Sequence, residues 1–146
     1  MISKTDIENT LIILNAKHAI STNHIETLMY AKLALLELCG WIELSMDDLI
    51  RRCAAHNLSK NGNIKHIEDV VIKYNYGFEY KKHFRNMLCS LIGLITFEKI
   101  ELKADQQKLQ NLKSALGNLK EPRNKEAHTF TAVSYTHLTL PSMCSV

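Results

Sequence analysis

The chain reads HIETLMYAKLALLELCGWIELSMDDLIRRCAA over His24–Ala55, and this stretch decides its fold. Apolar residues recur there at steps of three and four, which is the spacing of one face of an α-helix. That face comprises Leu28, Ala31, Leu35, Leu38, Ile42, Met46, Leu49 and Cys53. Further apolar residues, Leu33, Leu36, Trp41 and Leu44, lie on other faces. A helix that is apolar nearly all round is central in its domain or buried at a subunit contact. We therefore expect a two-fold homodimer that hides the extra residues.

The residues on both sides of this stretch, as far as residue 132, show the same helical spacing and no alternating strand pattern. They predict helices over Lys4–His18, Ile64–Tyr74, Phe78–Ile100 and Asp105–Leu119. The connections carry turn and cap residues, among them Asn61, Gly62 and Gly77. Long helices joined by short loops predict an all-α fold, an up-and-down bundle of four to five helices.

The length and charge of the chain limit its organisation and its partners. It has 146 residues, of which 46% are hydrophobic and 23% charged, enough for one domain with its own core. Residues 1–50 hold three lysines against seven acidic residues, whereas residues 51–132 hold fifteen lysines and arginines against eight acidic residues. A basic half-domain fits a phosphate-bearing partner such as RNA, and it also fits lysines that are merely solvated on helix surfaces.

Sequence features that report on location predict a cytoplasmic protein. No apolar run approaches the roughly 18 residues that a membrane-spanning helix needs, and Leu33–Leu36 ends at Glu37. The first ten residues, MISKTDIENT, contain no apolar stretch ahead of their charges, so no signal peptide is predicted. The four cysteines form no Cys-x-x-Cys motif and are expected to be reduced. They are Cys39, Cys53, Cys89 and Cys144.

The last fourteen residues, Val133–Val146, depart abruptly from the helical pattern. They read VSYTHLTLPSMCSV, with hydroxyl and β-branched residues in place of charges. The segment resembles translated sequencing-adaptor read-through. We therefore expect residues 1–132 to be a native domain that is truncated at its C-terminus, and residues 133–146 to be a non-native tail without a functional role. The alternative is a natural short strand or tail.

The segment Leu119–Phe130 holds the residues that suit phosphate chemistry. Pro122 suits the first turn of a helix, where its missing N–H costs nothing. In that position Arg123 and Asn124 lie beside free backbone N–H groups and the positive end of the helix dipole, which attract phosphate. His128 follows Asn124 by four residues and shares its face of the helix. The sequence therefore predicts an arginine, an amide and a histidine converging at a helix start.

The six residues RNKEAH, Arg123–His128, resemble the Arg-x4-His signature of the HEPN superfamily in its common form RNxxAH. In that family the motif opens the last core helix of an all-α bundle. The stretch Ala31–Ile50 is similar to the early helix of the branch known as RiboL-PSP-HEPN. The resemblance covers about Ile7–Phe130.

This resemblance implies a metal-independent endoribonuclease that works as a homodimer, in a defence or toxin–antitoxin setting. Two copies of the motif would face each other in one composite cleft. It implies that His128 helps proton transfer as a ribose 2′-OH attacks the adjacent phosphorus, that Arg123 stabilises the phosphate charge, and that Asn124 orients the histidine or the phosphate. Other members of the family are catalytically silent interaction modules, and some pair with a nucleotidyltransferase as toxin and antitoxin. Many of those toxins carry a tyrosine where this chain has Phe130.

In this family a further polar residue on an earlier helix often reaches the cleft, and Glu37 is the candidate here. It interrupts an apolar helix, and a carboxylate in such a place needs a partner, which Arg123 or His128 would provide. The alternatives are that Glu37 faces solvent or that Glu43 takes the role.

The remaining polar and aromatic residues predict no cofactor and no metal. His56, His66 and His83 lack the spacing of metal ligands, and no Gly-rich phosphate loop or His-Glu-x-x-His motif is present. Four aromatic residues cluster around a turn, and they have two interpretations: packing of the loop, which we favour, and stacking of RNA bases. They are Tyr74, Tyr76, Phe78 and Tyr80.

Overall fold

The computed structural model describes Ile2–Thr129, and within these residues the chain forms six α-helices and no β-strand. The helices are α1 (Lys4–Ile20), α2 (His24–Asn57), α3 (Asn61–His66), α4 (Arg85–Ile92), α5 (Leu94–Lys103) and α6 (Gln106–His128). Two π-helical segments adjoin them: Ile67–Ile72 continues α3, and Tyr80–Phe84 leads into α4. The predicted all-α class is confirmed. Residues 130–132 and the predicted tail lie outside the described residues.

The longest of these helices, α2, is the element around which the others pack. It starts after Asn23, whose side chain caps the helix by accepting a hydrogen bond from the Ile25 N–H at 2.9 Å. Along its 34 residues it packs against α1, α4, α6 and the π-helical segment Ile67–Ile72. Its core residues are Cys39, Met46, Ile50 and Ala54. They meet Met87 of α4, Phe97 of α5 and Leu116 of α6 in one apolar cluster.

The predicted helix Phe78–Ile100 is wrong, because the chain divides it. Gly93 has a φ of +80°, which favours glycine, and it ends α4 and precedes α5. The earlier part is the π-helical segment Tyr80–Phe84, which starts only after the extended residue Glu79. The described residues therefore hold six α-helices, where four to five were predicted. The predicted turn residues Asn61 and Gly62 also form the first turn of α3 instead.

The predicted helix start at Pro122 is also wrong, because Pro122 lies inside α6. The helix starts after Asp105, whose side chain accepts a hydrogen bond from the Lys108 N–H at 3.0 Å. Leu109, Leu116 and Leu119, all before the proline, contact the core. After the proline, the Arg123–Glu43 ion pair and the hydrogen bond from Lys32 to the Thr129 carbonyl tie the last turns to α2. These contacts on both sides outweigh the local preference of a single proline, so the helix continues to His128.

The helices and the cysteines bear on the features from which a cytoplasmic location was predicted. None of the helices in residues 2–129 is long and apolar enough to cross a lipid bilayer. The three cysteines of this range are free thiols: Cys39 is buried, and Cys53 and Cys89 are half-buried.

Candidate active site

The arginine of the predicted site lies where α6 packs against α2. The Arg123 guanidinium donates from Nη2 to Oε1 of Glu43 on α2, and from Nη1 to Oδ1 of its neighbour Asn124, both at 3.3 Å. The side chains of the ion pair are 35% and 26% exposed, so water screens their attraction. The main effect of the pair is therefore to hold the guanidinium in place. Arg123 uses two of its five N–H donors within residues 2–129, and the others can face a ligand.

The ion pair lies beside a buried thiol, that of Cys39. Cys39 precedes Glu43 by four residues on α2 and is 1% exposed. Burial raises the pKa of the Cys39 thiol, the nearby charge of Arg123 lowers this pKa, and that of Glu43 raises it. Because burial dominates, the thiol stays protonated at neutral pH and is no nucleophile. Its role is to fill the space behind the ion pair.

The histidine of the predicted site is exposed at the end of α6. His128 is the last residue of the helix and has no hydrogen-bond or ion-pair partner among residues 2–129. It follows Asn124, which is also exposed, by one turn. Arg123 faces α2 instead, because five residues advance the direction around a helix by about 140°. One copy of the chain therefore shows the arginine and the histidine on different sides of α6.

The predicted phosphate site at a helix start is not found, since Arg123–His128 form the last turns of α6 and not its first. Backbone N–H groups there are engaged within the helix, and the dipole is negative at this end. Lys125 in the last turn counters that partial charge. Lys32 of α2 also donates a hydrogen bond to the carbonyl oxygen of Thr129, the residue that caps α6. An anion bound here therefore depends on cationic side chains alone.

The structure places Glu37 away from these groups. Glu37 is exposed and lines a groove between α1 and α2, together with Asp6, Thr10 and Trp41. Glu43, the alternative from the sequence, is the carboxylate that pairs with Arg123. The two glutamates are six residues apart, which separates their directions around α2 by about 120°. The face that meets α6 therefore carries Glu43 and not Glu37.

Next to Arg123, α2 and α6 leave an apolar groove of about 610 Å³. Its wall on α2 includes Leu38, Ile42 and Leu49, and its wall on α6 includes Leu112, Ala115 and Leu119. The Ser45 hydroxyl lies in this groove, buried and without a hydrogen-bond partner among the described residues. Leu119 precedes Arg123 by four residues, so the groove ends beside the ion pair. The surplus of apolar residues on α2 follows from the sequence, but this groove does not, since four of its lining residues come from α6.

Four apolar residues of α2 lie off its main apolar face. In a single copy of the chain, two of them are exposed and two are half-buried. Leu33 and Leu44 are 43% and 55% exposed. Leu36 and Trp41 are half-buried and line the groove between α1 and α2. The indole N–H of Trp41 donates to the carbonyl oxygen of Ser3 at 3.1 Å, which ties the start of α1 to α2.

Among residues 2–129, no group of three or more histidines, cysteines and acidic residues is placed to hold a metal ion. Comparisons of the chain with protein-family models, with curated protein sequences and with solved structures find no match.

Proposed function

We propose that this chain is a HEPN-type endoribonuclease that cleaves RNA without a metal ion, in the cytoplasm and in a defence or toxin–antitoxin setting. The observation that carries the proposal is the pairing of two features on one short segment of α6. Arg123 is fixed by Glu43 and Asn124 and keeps further donors, and the nearby His128 imidazole is exposed and without a partner among residues 2–129. The first group suits a phosphate and the second suits proton transfer.

In the proposed reaction the ribose 2′-oxygen attacks the adjacent phosphorus. A neutral His128 imidazole takes the proton of the 2′-OH as the new O–P bond forms. The bond from phosphorus to the 5′-oxygen breaks, and that oxygen receives a proton from a water molecule, while the imidazolium returns its proton to the resulting hydroxide. The products are a 2′,3′-cyclic phosphate and a free 5′-hydroxyl. Arg123 donates its free N–H groups to the phosphoryl oxygens, where negative charge grows in the transition state.

This reaction needs two copies of the chain. Arg123 and His128 of one copy lie on different sides of α6, so the arginine that acts with a given His128 has to come from the other copy. A two-fold homodimer would place the ends of two α6 helices side by side and complete the cleft. The apolar groove that ends beside Arg123 supports a contact between copies at this place.

A second candidate function is a non-catalytic interaction module, including one that binds a nucleotidyltransferase. It is supported by the fact that the same residues have structural roles. Arg123 already has a carboxylate partner across the α2–α6 contact, and His128 lies in the last turn of α6, where a cation stabilises the helix. The two candidates differ in whether these residues affect RNA chemistry.

We expect His128→Ala and Arg123→Ala to lower the rate of RNA cleavage by at least about a hundredfold, since each removes a proton-transfer or charge-stabilising group. Arg123→Lys should also fail, because lysine keeps the charge and loses the planar fork of donors. Asn124→Ala should lose less activity. The measurement is cleavage of labelled single-stranded RNA, with and without EDTA, and EDTA should change nothing.

Two variants are matched controls for these substitutions. His18→Ala removes an exposed histidine from the last turn of another helix. Arg51→Ala removes an arginine that pairs with Glu68 across two helices, at 2.7 Å. Both should cleave at nearly the wild-type rate. Cleavage that persists in His128→Ala or disappears with EDTA contradicts the mechanism. A folded wild-type protein that cleaves no RNA favours the interaction module.

A further inference from the structure

We propose that the turn Lys73–Gly77, here called the tyrosine turn, is a platform on which bases of single-stranded RNA stack. The inference rests on the proposed function, because the platform would hold that site's substrate. Tyr74 and Tyr76 are 73% and 80% exposed. Two such aromatic rings within three residues have a large apolar area in water, and this arrangement is unusual unless a partner covers them.

The backbone of the tyrosine turn is held in one conformation. The Asn75 side-chain amide donates to the carbonyl oxygen of Val71 at 2.7 Å, and the Asn75 N–H donates to that of Ile72 at 3.0 Å. Gly77 has a φ of +131°, and a Cβ atom at this position would overlap the ring of His83. The rings of Tyr74 and Tyr76 thus stand on an ordered backbone. RNA binding therefore has to order little additional chain, which keeps its entropy cost low.

The other two aromatic residues of this region anchor the turn. Phe78 and Tyr80 are 4% and 7% exposed. The Tyr80 hydroxyl donates to Oε1 of Glu101 at 2.8 Å, and the Lys113 ammonium lies 4.7 Å from the centre of the Tyr80 ring. Packing of the loop therefore accounts for Phe78 and Tyr80, and it leaves Tyr74 and Tyr76 for the proposed stacking.

The charges around the tyrosine turn favour a nucleic acid over a protein partner. Of the side chains from residue 73 to residue 85, the exposed ones are the two tyrosines and three lysines, Lys73, Lys81 and Lys82. Glu79 is the one acidic residue between residues 70 and 97, and Lys120 of α6 pairs with it at 3.4 Å. Aromatic faces beside unpaired ammonium groups match the bases and phosphates of a single strand. One aliphatic side chain close to the turn in sequence, Val70, is also exposed, and the three lysines outnumber it.

The tyrosine turn also lies on the approach to the candidate active site. The pair between Glu79 and Lys120 joins the segment after the turn to α6. Lys120 precedes Arg123 by three residues and is its neighbour on the helix surface. The Cα atoms of Tyr74 and Tyr76 are at most about 7 Å apart, so the rings can take neighbouring bases of one strand. A strand stacked there would pass along α6 toward Arg123.

The test measures binding without cleavage. The probe is a fluorescein-labelled 12-nucleotide single strand with 2′-O-methyl riboses, which cannot undergo attack by a 2′-OH, and the readout is fluorescence anisotropy. We expect the double variant Tyr74→Ala, Tyr76→Ala to bind this strand at least about tenfold more weakly than wild type. Tyr74→Phe, Tyr76→Phe should bind like wild type, because the rings remain. Duplex RNA of the same sequence should bind equally to all three proteins.

A matched control is Ile95→Ala, Leu102→Ala, which removes two side chains of similar exposure from α5 and should bind like wild type. Unchanged RNA binding by the alanine variant overturns the platform and assigns the turn to a protein partner. An equal loss in the phenylalanine variant also overturns it, because the hydroxyls would then be responsible. His128→Ala should bind like wild type. If binding depends on the tyrosines but the protein cleaves no RNA, the platform stands and the proposed catalysis is wrong. If the protein cleaves RNA but binding does not depend on the tyrosines, the proposed catalysis stands and the platform is wrong.

Discussion

At the residue scale, the backbone conformation around Gly77 and Glu79 depends on whether His83 is protonated. The His83 Nδ1 atom accepts a hydrogen bond from the Glu79 N–H at 3.2 Å, and its ring fills the space beside Gly77. A protonated imidazole has no acceptor, so this contact needs the neutral form. Burial lowers the pKa of His83, the negative charge of Glu79 raises it, and the positive charges of Lys82 and Lys120 lower it.

We therefore predict that the free energy of unfolding falls as the solution is acidified. The pKa of His83 in the folded chain lies below the value of 6.5 for a free histidine. Unfolded chains consequently bind the proton first, and the contribution of neutral His83 is present above pH 6.5 and lost as pH falls through the lowered pKa. Urea unfolding at about pH 7.5 and about pH 5.5 measures the change. His83→Asn keeps an acceptor without titrating and should lose less stability between the two pH values.

The outcome is judged against His18→Asn, which replaces an exposed histidine in the last turn of α1. This control should keep the pH dependence of wild type. If His83→Asn shows the same pH dependence as wild type, other groups carry the effect and the coupling between His83 and the tyrosine turn is wrong.

At the element scale, α6 shows what local sequence rules can and cannot predict. The long helix α2, its cap at Asn23 and the all-α class follow from apolar spacing and capping residues, which are local properties. The passage of α6 through Pro122 does not, because it depends on contacts on both sides of the proline, those of Leu119 with the core and of Arg123 with Glu43. Glu37 and Glu43 stay open as alternatives in the sequence for the same reason: which of them pairs with Arg123 depends on which face of α2 meets α6.

The position of Pro122 leads to a stability prediction. A proline inside a helix lacks the N–H that would bond to the carbonyl oxygen of Asn118, and its ring crowds the preceding turn. Pro122 is exposed, so little packing is lost when it is replaced. We expect Pro122→Ala to raise the free energy of unfolding by about 1–3 kcal/mol, measured by urea denaturation. Glu121→Ala, at an exposed neighbouring position, should change stability much less. A loss of stability in Pro122→Ala would show that the ring contributes to packing against Leu28 and Leu35, with which it shares a groove.

At the scale of the whole molecule, the distribution of apolar and charged surface fits assembly into pairs. In the groove between α2 and α6, Leu49 and Leu112 are 43% and 42% exposed to solvent, and the groove ends beside Arg123. Residues 1–50 have an excess of acidic residues, seven against three lysines, whereas after residue 50 fifteen lysines and arginines stand against eight acidic residues, on the part of the chain that carries α6 and the tyrosine turn. In the proposed dimer the groove is covered, and the basic surfaces of both copies stay open to RNA.

The composite site predicts that two inactive variants restore each other's activity. In a mixed dimer of Arg123→Ala and His128→Ala, one copy supplies an intact arginine and the other an intact histidine. We expect each variant alone to be inactive and the mixture, after exchange of subunits, to regain cleavage of labelled RNA. A site formed within one chain would gain nothing from mixing, because each copy would still lack one of the two residues. The mixture therefore separates a composite site from a single-chain site without a structure of the dimer.

The control for this experiment breaks the proposed contact between copies. Leu49→Glu, Leu112→Glu places carboxylates in the groove, where a second copy would have to bury them at a high cost. We expect this variant to be a folded monomer by light scattering, to be inactive alone, and to block restoration when the two substitutions are added to both partners of the mixture. Ile95→Glu, at a 74% exposed position on α5, should leave the dimer and the restoration unchanged. A wild-type protein that is monomeric at micromolar concentration, or a mixture no more active than its parts, would contradict the composite site.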